Sequence, residues 1–395
     1  MTRRSNYGTW PLFHDNPEPT HLNNRQPLGM KTPYVESLTS YFTGLSWSHC
    51  LSPGRLFASV IAPLLDKTYL AKSDNRATWL SRSFRARSAA INGTGLMALD
   101  WTTLLEQLTG REDLRYLTFL PWAGMLSQRH LLRRWRAWCS VCIQEWATAG
   151  QPLYEPLLWS VKLVTRCVIH GVPLTLQCPS CSAALHCLSH RGRPGYCDAC
   201  GHWLGVSIQP CRLLSTHSVD LEVYHATMVG ELLANSCFVE SSVHRTLSGA
   251  MASLIEGATD NNASQFASLV GRNKSTISGW LHGSRMPLNE LLDLSSRLKA
   301  TPLKILSGSC GTLVADNSDY QIPKRKPHTL ARKHFNRKKA LARLEKSLTC
   351  APPPRSMRHL AETLHVDKRV LYRHFPQLCK EIAAQAAAYR RGKVA

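Results

Sequence analysis

The sequence predicts a mainly α-helical, multidomain protein: an N-terminal helical domain, tandem zinc-ribbon-like fingers with short strands, and two C-terminal helix-turn-helix units. Three observations predict it. Apolar residues recur at helical spacing along most of the chain. Cysteines gather in pairs separated by two residues between positions 139 and 200. Positive charge is concentrated behind them. At 395 residues the chain has room for several cores.

Composition excludes several classes. No window approaches the ~18 apolar residues of a membrane span. The opening "MTRRSNYGTW" is followed by no apolar run, which argues against a secretory leader. The expected location is therefore the cytosol. There, the gathering of half of the 14 cysteines into C-x-x-C and C-x-x-H pairs points to metal rather than disulfides. Cys50, Cys187, Cys211, Cys237, Cys310, Cys350 and Cys379 fall outside the pairs and read as small buried apolar residues.

The elements follow in order. Residues 1–30 are rich in Pro, Asn and His and read as an extended arm. Residues 31–135 form the helical domain: Tyr34, Leu38, Tyr41, Phe42 and Leu45 recur at helical spacing, and "PGRLFASVIAPLL" continues the pattern. In "DWTTLLEQLTG", Asp100 is placed to cap a helix and Gly110 to end it. Residues 136–210 hold the cysteine pairs and 211–259 a helical connector. Residues 260–306 form a compact helical unit, 307–330 a basic, turn-rich linker, and 331–395 a last helical unit broken by "APPP".

The stretch "RCVIHGVPLTLQCPSC" supplies Cys167, His170, Cys178 and Cys181; Cys139 and Cys142 precede it, and Cys197 and Cys200 follow. Seven cysteines and one histidine fill two tetrahedral zinc sites without an orphan pair. The sequential assignment groups Cys139, Cys142, Cys167 and His170, with 24 residues between the pairs, and Cys178, Cys181, Cys197 and Cys200, with 15. An interleaved pairing is the sterically allowed alternative. Gly171 and Gly201, each directly after a pair, free the chain to leave a tight turn. Both sites look closed, so two structural ions are expected and no catalytic one. His186, His190 and His202 are the nearby substitutes; Trp138, Trp159 and Trp203 read as packing.

Of the net charge of +22, residues 261–395 carry +17, from 25 Lys and Arg against 8 Asp and Glu. Such an excess suits a polyanion, most often nucleic acid, and the bland alternative is a solvated tail. Within it, "SQFASLVGRNKSTISGWLHGSRMPLNELLDLSSRLKATPLKIL" reads as helix, turn, helix. Phe266, Ala267, Leu269 and Val270 face inward, Gly271 breaks the first helix, Asn273 caps the second, and Ile277 with Trp280 or Leu281 is buried. Lys274, Ser275 and Ser278 then project from the start of the second helix, the end that enters a major groove, and Gln265 can reach a phosphate. A second pattern, "SMRHLAETLHVDKRVLYRHFP", buries Leu360, Ala361 and Leu364, turns through His365 and Val366, and exposes Lys368, Arg369, Tyr372, Arg373 and His374. Lys324, Arg325 and Lys326 lie between the two patterns in a flexible basic run suited to phosphate contact.

The ordered series "ESLTSYF", "LPW", "WCSVC", "LYEPLLW", "CVIHGVPL", "CPSC" and "YCDACG", over roughly residues 30 to 205, resembles the TniQ/TnsD family of Tn7-like transposon target-selector proteins. The two C-terminal units resemble the TnsD-type extension. The resemblance implies a DNA-bound adaptor and not an enzyme. Such a protein marks a double-stranded attachment site and recruits an AAA+ ATPase regulator (TnsC-like), which brings in the transposase. It carries zinc over to the same eight ligands, and makes Trp10 and Phe13 of the arm a candidate ATPase-binding peptide.

The alternatives are a TniQ-type adaptor docking on a CRISPR effector for RNA-guided transposition, a zinc-containing transcription regulator, and a nuclease or transposase. The last needs clustered carboxylates for a divalent metal. The 26 acidic residues form no such motif.

Overall fold

The computed structural model describes residues 20–65, 85–206, 217–237, 246–308, 337–349, 357–364, 366 and 368–392. Trp10 and Phe13 lie outside the described residues, as do Lys324, Arg325, Lys326 and His365. The chain divides into two compact units, Met1–Asp316 and Asn317–Ala395.

In the first unit, helix α1 (Leu38–Ser48) begins where the Ser37 hydroxyl accepts from the backbone N–H of Ser40 at 3.3 Å. It buries Tyr41, Phe42 and Leu45 completely. A short helix α2 (Pro53–Leu56) runs through a π-helical turn, Phe57–Ile61, into α3 (Ala62–Leu65). Helix α4 (Leu96–Thr109) supplies the centre of this layer, Trp101. The Trp101 ring meets Phe42 edge-on at 5.2 Å and stacks on Phe57 at 5.7 Å. The helix starts four residues before Asp100, behind Gly95, and ends as expected at Gly110, which takes the left-handed conformation at φ 66°. The early start escapes the apolar pattern because Leu96 and Leu99 of the first turn face solvent, at 77% and 50% exposure.

The expected arm is ordered against this layer from residue 20 on. Leu22 is buried and its N–H donates to Leu108 O at 2.8 Å. Arg25 forms a two-pronged pair with Glu36 at 2.9 and 3.1 Å, and Tyr41 Oη donates to Arg25 O at 2.9 Å. Glu36 is fully buried. Burial raises its pKa, opposed by the Arg25 guanidinium, the Leu28 N–H and the Ser40 hydroxyl.

One apolar cluster extends from Leu22 to Leu306 and takes in the cysteine-rich segment and the helices behind it. These include α5 (Ser140–Thr148), α6 (Leu157–Ser160), α7 (His217–Ala234) and α8 (Leu247–Thr259). Trp122 Nε1 donates to Ser236 Oγ at 3.2 Å in the interior, tying the end of α7 to the first layer. Within residues 136–210 the described backbone makes isolated bridges, not the short strands expected: Trp135 with His186, Trp138 with Thr175, Arg166 with Pro173, and Tyr196 with Trp203. The ligand turns use up the residues that longer ladders would need.

Helices α9 (Ala263–Leu269), α10 (Lys274–Leu281), α11 (Leu288–Arg297) and α12 (Pro302–Ser307) complete the unit. The second unit contains α13 (Arg337–Thr349), α14 (Met357–Thr363), α15 (Lys368–His374) and α16 (Pro376–Gly392), around the buried Leu344, Leu371, Cys379 and Ile382. Among the described residues no helix is long and apolar enough to cross a membrane.

Of the unpaired cysteines, Cys379 is buried, Cys187 and Cys237 are half-buried, and Cys50 is exposed, contrary to expectation. Cys50 sits at φ 56° in the turn that ends α1, which directs its side chain outward. Cys211, Cys310 and Cys350 lie outside the described residues.

Candidate metal centres and nucleic-acid face

Three of the four ligand pairs adopt one turn. The N–H of Cys167 donates to Val172 O at 2.9 Å and Gly171 N–H returns to Cys167 O at 2.8 Å. Cys178 with Ala183 and Ser182, and Cys197 with His202 and Gly201, repeat the pattern at 2.9 to 3.0 Å. The residue after each pair is left-handed, at φ 64° for Gly171, 55° for Ser182 and 76° for Gly201. Glycine meets that demand without cost at two of the three; Ser182 does not. The fourth pair differs: Cys139 is the N-cap of α5 and Cys142 lies in its first turn.

These turns bring the side chains into two groups, Cys139, Cys142, Cys167 and His170, and Cys178, Cys181, Cys197 and Cys200. In each, the four ligand atoms lie within 4.8 Å of one another. The grouping is the sequential one. His186, His190 and His202 belong to neither; His186 instead packs its ring against Trp135 at 4.5 Å.

The donor spacing tests whether an ion fits. A tetrahedral ion with sulfur at ~2.3 Å and imidazole nitrogen at ~2.05 Å sets donor edges of roughly 3.75 Å between sulfurs and 3.55 Å from sulfur to nitrogen. The sulfur edges are 3.6 Å for Cys142–Cys167, 3.7 Å for Cys178–Cys200 and 3.8 Å for Cys181–Cys197. Those from His170 Nδ1 to Cys139, Cys142 and Cys167 are 3.5, 3.3 and 3.6 Å. Both sets fit such an ion, and these are two candidate metal-binding sites. Without a cation the crowded thiols cannot ionise together. Hydrogen bonding with Cys139 and Cys167 pushes the Cys142 thiol up, and the same crowding with Cys139 and Cys142 holds Cys167 low.

Glu145 is a participant that ligand spacing did not reveal. Its carboxylate stands 2.9 Å from His170 Nε2, the nitrogen turned away from the cluster. This is the arrangement that fixes a ligand imidazole's tautomer and orientation. A carboxylate three residues after Cys142 on one helix was the available signal. Around the sites, Trp138 and Trp159 are buried, and Trp146 stacks on Tyr154 at 4.9 Å and on Trp159 at 5.7 Å. Trp203 donates from Nε1 to Gln144 Oε1 at 2.9 Å.

In the basic third, Asn262 caps α9, its Oδ1 accepting from Ser264 and Gln265 N–H groups at 3.1 and 3.0 Å. Gly271, at φ 61°, turns the chain between α9 and α10. Asn273 stands at the N-cap of α10 but its side chain makes no capping bond. Phe266, Ala267, Val270, Ile277 and Trp280 are buried, whereas Leu269 of the expected inner face is 37% exposed. Gln265, Lys274 and Ser275 are exposed; Ser278 is half-buried, with Oγ 3.4 Å from His282 Nδ1.

Arg272, in the turn, pairs with Glu290 at 2.7 Å and with Asp293, and Arg297 reaches Asp293 at 3.2 Å. Two of the cations counted toward a basic surface are therefore held by carboxylates: Arg272 fastens the turn to α11, and Arg297 pairs one helical turn back within α11. No local spacing announces the partners of Arg272, 18 and 21 residues away.

In the second unit Leu360, Ala361 and Leu371 are buried and Leu364 is half-buried. Lys368, Arg369, Arg373 and His374 are exposed, and the Lys368 ammonium lies 5.5 Å from the centre of the half-buried Tyr372 ring.

No curated protein matches this chain. Residues 27–174, which include the first four-ligand group and stop short of the second, match the TniQ family model. Over these residues the chain is similar to the TniQ family.

Proposed function

We propose that this protein is a sequence-specific DNA-binding target selector of a Tn7-like transposon, with no reaction centre of its own. The TniQ match over residues 27–174 is the observation that carries the reading. It is supported by the exposed Lys274 and Ser275 at the start of α10, behind a turn fastened by Arg272. On this reading α9 and α10 form one helix-turn-helix, α14 and α15 another of the TnsD type, and duplex DNA is the shared ligand. Lys274, Ser275 and Ser278 face bases, Gln265 a phosphate, and Lys368, Arg369, Tyr372 and Arg373 do the same work in the second unit. Lys324, Arg325 and Lys326 add phosphate contacts from the segment between them.

The eight ligands hold two zinc ions in this proposal, since sulfur-rich tetrahedral donor sets suit zinc. Bound zinc would neutralise the thiolates and cross-link the segments that bear them. The TniQ-domain body then recruits an AAA+ ATPase regulator, with Trp10 and Phe13 as candidate contacts, and through it the transposase. The setting is the bacterial cytoplasm, at the nucleoid.

Sequencing the genomic fragments retained by the pure, full-length protein tests the proposal. One enriched duplex, lost on deleting residues 260–395, is expected. Equal retention of all duplexes, or co-purification with a guide-RNA complex that supplies the specificity, would overturn it.

A further inference from the structure

Resting on that DNA-binding reading, we propose that the duplex-binding face continues beyond α10, over Arg285 and onto Arg129 of the TniQ domain. The body itself then grips phosphates flanking the site that α10 reads.

The cations of the reading unit leave a deficit. Residues 260–308 contain Arg272, Lys274, Arg285, Arg297, Lys299 and Lys304. Arg272 and Arg297 are held by Glu290 and Asp293. Lys274 stands at the base-reading end of its helix. Of the three that remain, Lys299 and Lys304 lie beyond α11, and Arg285, four residues past the end of α10, is the exposed cation nearest the reading helix in sequence, with no carboxylate partner among the described residues.

Its neighbour decides where the surface leads. Met286 is completely buried and pairs in parallel with the TniQ segment 125–127. Its N–H donates to Met125 O at 2.9 Å, and its carbonyl accepts from Ser127 N–H at 2.9 Å. Two backbone bonds around a buried anchor set the reading unit against the body at this seam. From Ser127 the chain passes to the exposed Gln128 and Arg129. Gln128 and Arg285 line one groove of about 520 Å³, whose carboxylate, Glu106, accepts from the backbone N–H of Arg115 at 3.3 Å.

The TniQ side of the seam sorts its arginines by direction. Arg133 turns inward to the carbonyls of Val161 and Val164, and buried Arg136 pairs with half-buried Glu155 at 2.6 Å. Arg129 is exposed and has no carboxylate partner among the described residues. Counting consecutive Cα steps of 3.8 Å and the one inter-strand step from Met286 to Leu126, Arg129 and Arg285 lie within about 20 Å of each other. Two extended side chains over that span can reach phosphates of one duplex. A basic edge fixed by backbone bonds suits a rigid rod of charge, and the contacts carry no sequence information.

The test is the salt dependence of duplex binding by the full-length protein, using the duplex it retains from genomic fragments and a scrambled control. The variant R129A/R285A is expected to bind both at least ten-fold more weakly at low salt. Its slope of log affinity against log salt should be shallower by about 1.8, at ~0.9 per phosphate contact. R129K/R285K keeps the charges and should retain the wild-type slope. S275A, in contrast, should change discrimination between the two duplexes and leave the slope alone.

An unchanged slope in R129A/R285A, with wild-type binding intact, overturns the extended face and spares the underlying DNA-binding reading. No duplex binding by the wild type overturns both. Should R129A/R285A fold poorly, ethylation interference on the wild type decides: modified phosphates beyond the α10 site must block binding, and their indifference overturns the proposal.

Discussion

The two four-ligand groups share a turn chemistry and differ in their surroundings. In the first, Cys139, Cys142 and Cys167 are at most 1% exposed, one ligand pair belongs to a core helix, and His170 is backed by Glu145. In the second, Cys178 and Cys197 are buried while Cys181 and Cys200 face solvent. The first lies inside the TniQ match and the second beyond it. Thiolates stripped of their cation can be hydrated in the second group; in the first they are left uncompensated among apolar side chains. The same donor chemistry is a core cross-link in one place and a surface clasp in the other.

The sharpest way to break that distinction is Cys142→Ser. It should remove one metal per chain and most of the roughly 10 kcal/mol that a structural zinc site supplies. Residues 20–308 would then lose cooperative melting, as read by calorimetry together with elemental analysis. A variant that melts like the parent would refute the cross-link. Cys200→Ser should also cost one metal, yet leave a cooperative transition at a lower temperature and retain duplex binding. Glu145→Gln leaves stoichiometry at two and should weaken the first site by ten- to a hundred-fold in chelator competition, and the second far less. Equal weakening of both sites would show that the carboxylate acts on the fold and not on His170. The smallest expected effect is Ser182→Gly, a gain of about 0.5 kcal/mol from relieving a left-handed backbone, measured by denaturant unfolding of the metal-loaded protein.

Much of this was legible because its signals are local. Ligand pairs two residues apart can be counted, and a sequential pairing is their simplest assignment, with the interleaved one left open. The burial of Phe266, Ile277 and Trp280 follows from helical spacing. What stayed hidden depends on distant partners. The inward turn of Arg133 and Arg136, and the capture of Arg272 by Glu290 and Asp293, subtract cations that a sequence count credits to the surface. Glu145 was readable as a helical neighbour of Cys142, but only once His170 was known to reach it. The bridges without strands, and the start of α4 at a solvent-facing Leu96, show where tertiary packing outweighs pattern. The seam at Met286 had no sequence signature, because a parallel bridge between residues 126 and 286 obeys no local period.

The peptide from Cys167 to Cys181 donates to both groups, with the span between His170 and Cys178 only seven residues long. Occupying either group tethers the near half of the other within a short loop, and the closure entropy is already spent when the second ion arrives. Loading and stripping of the two ions are therefore interdependent events: the knots are tied in one short cord, and slackening one loosens its neighbour.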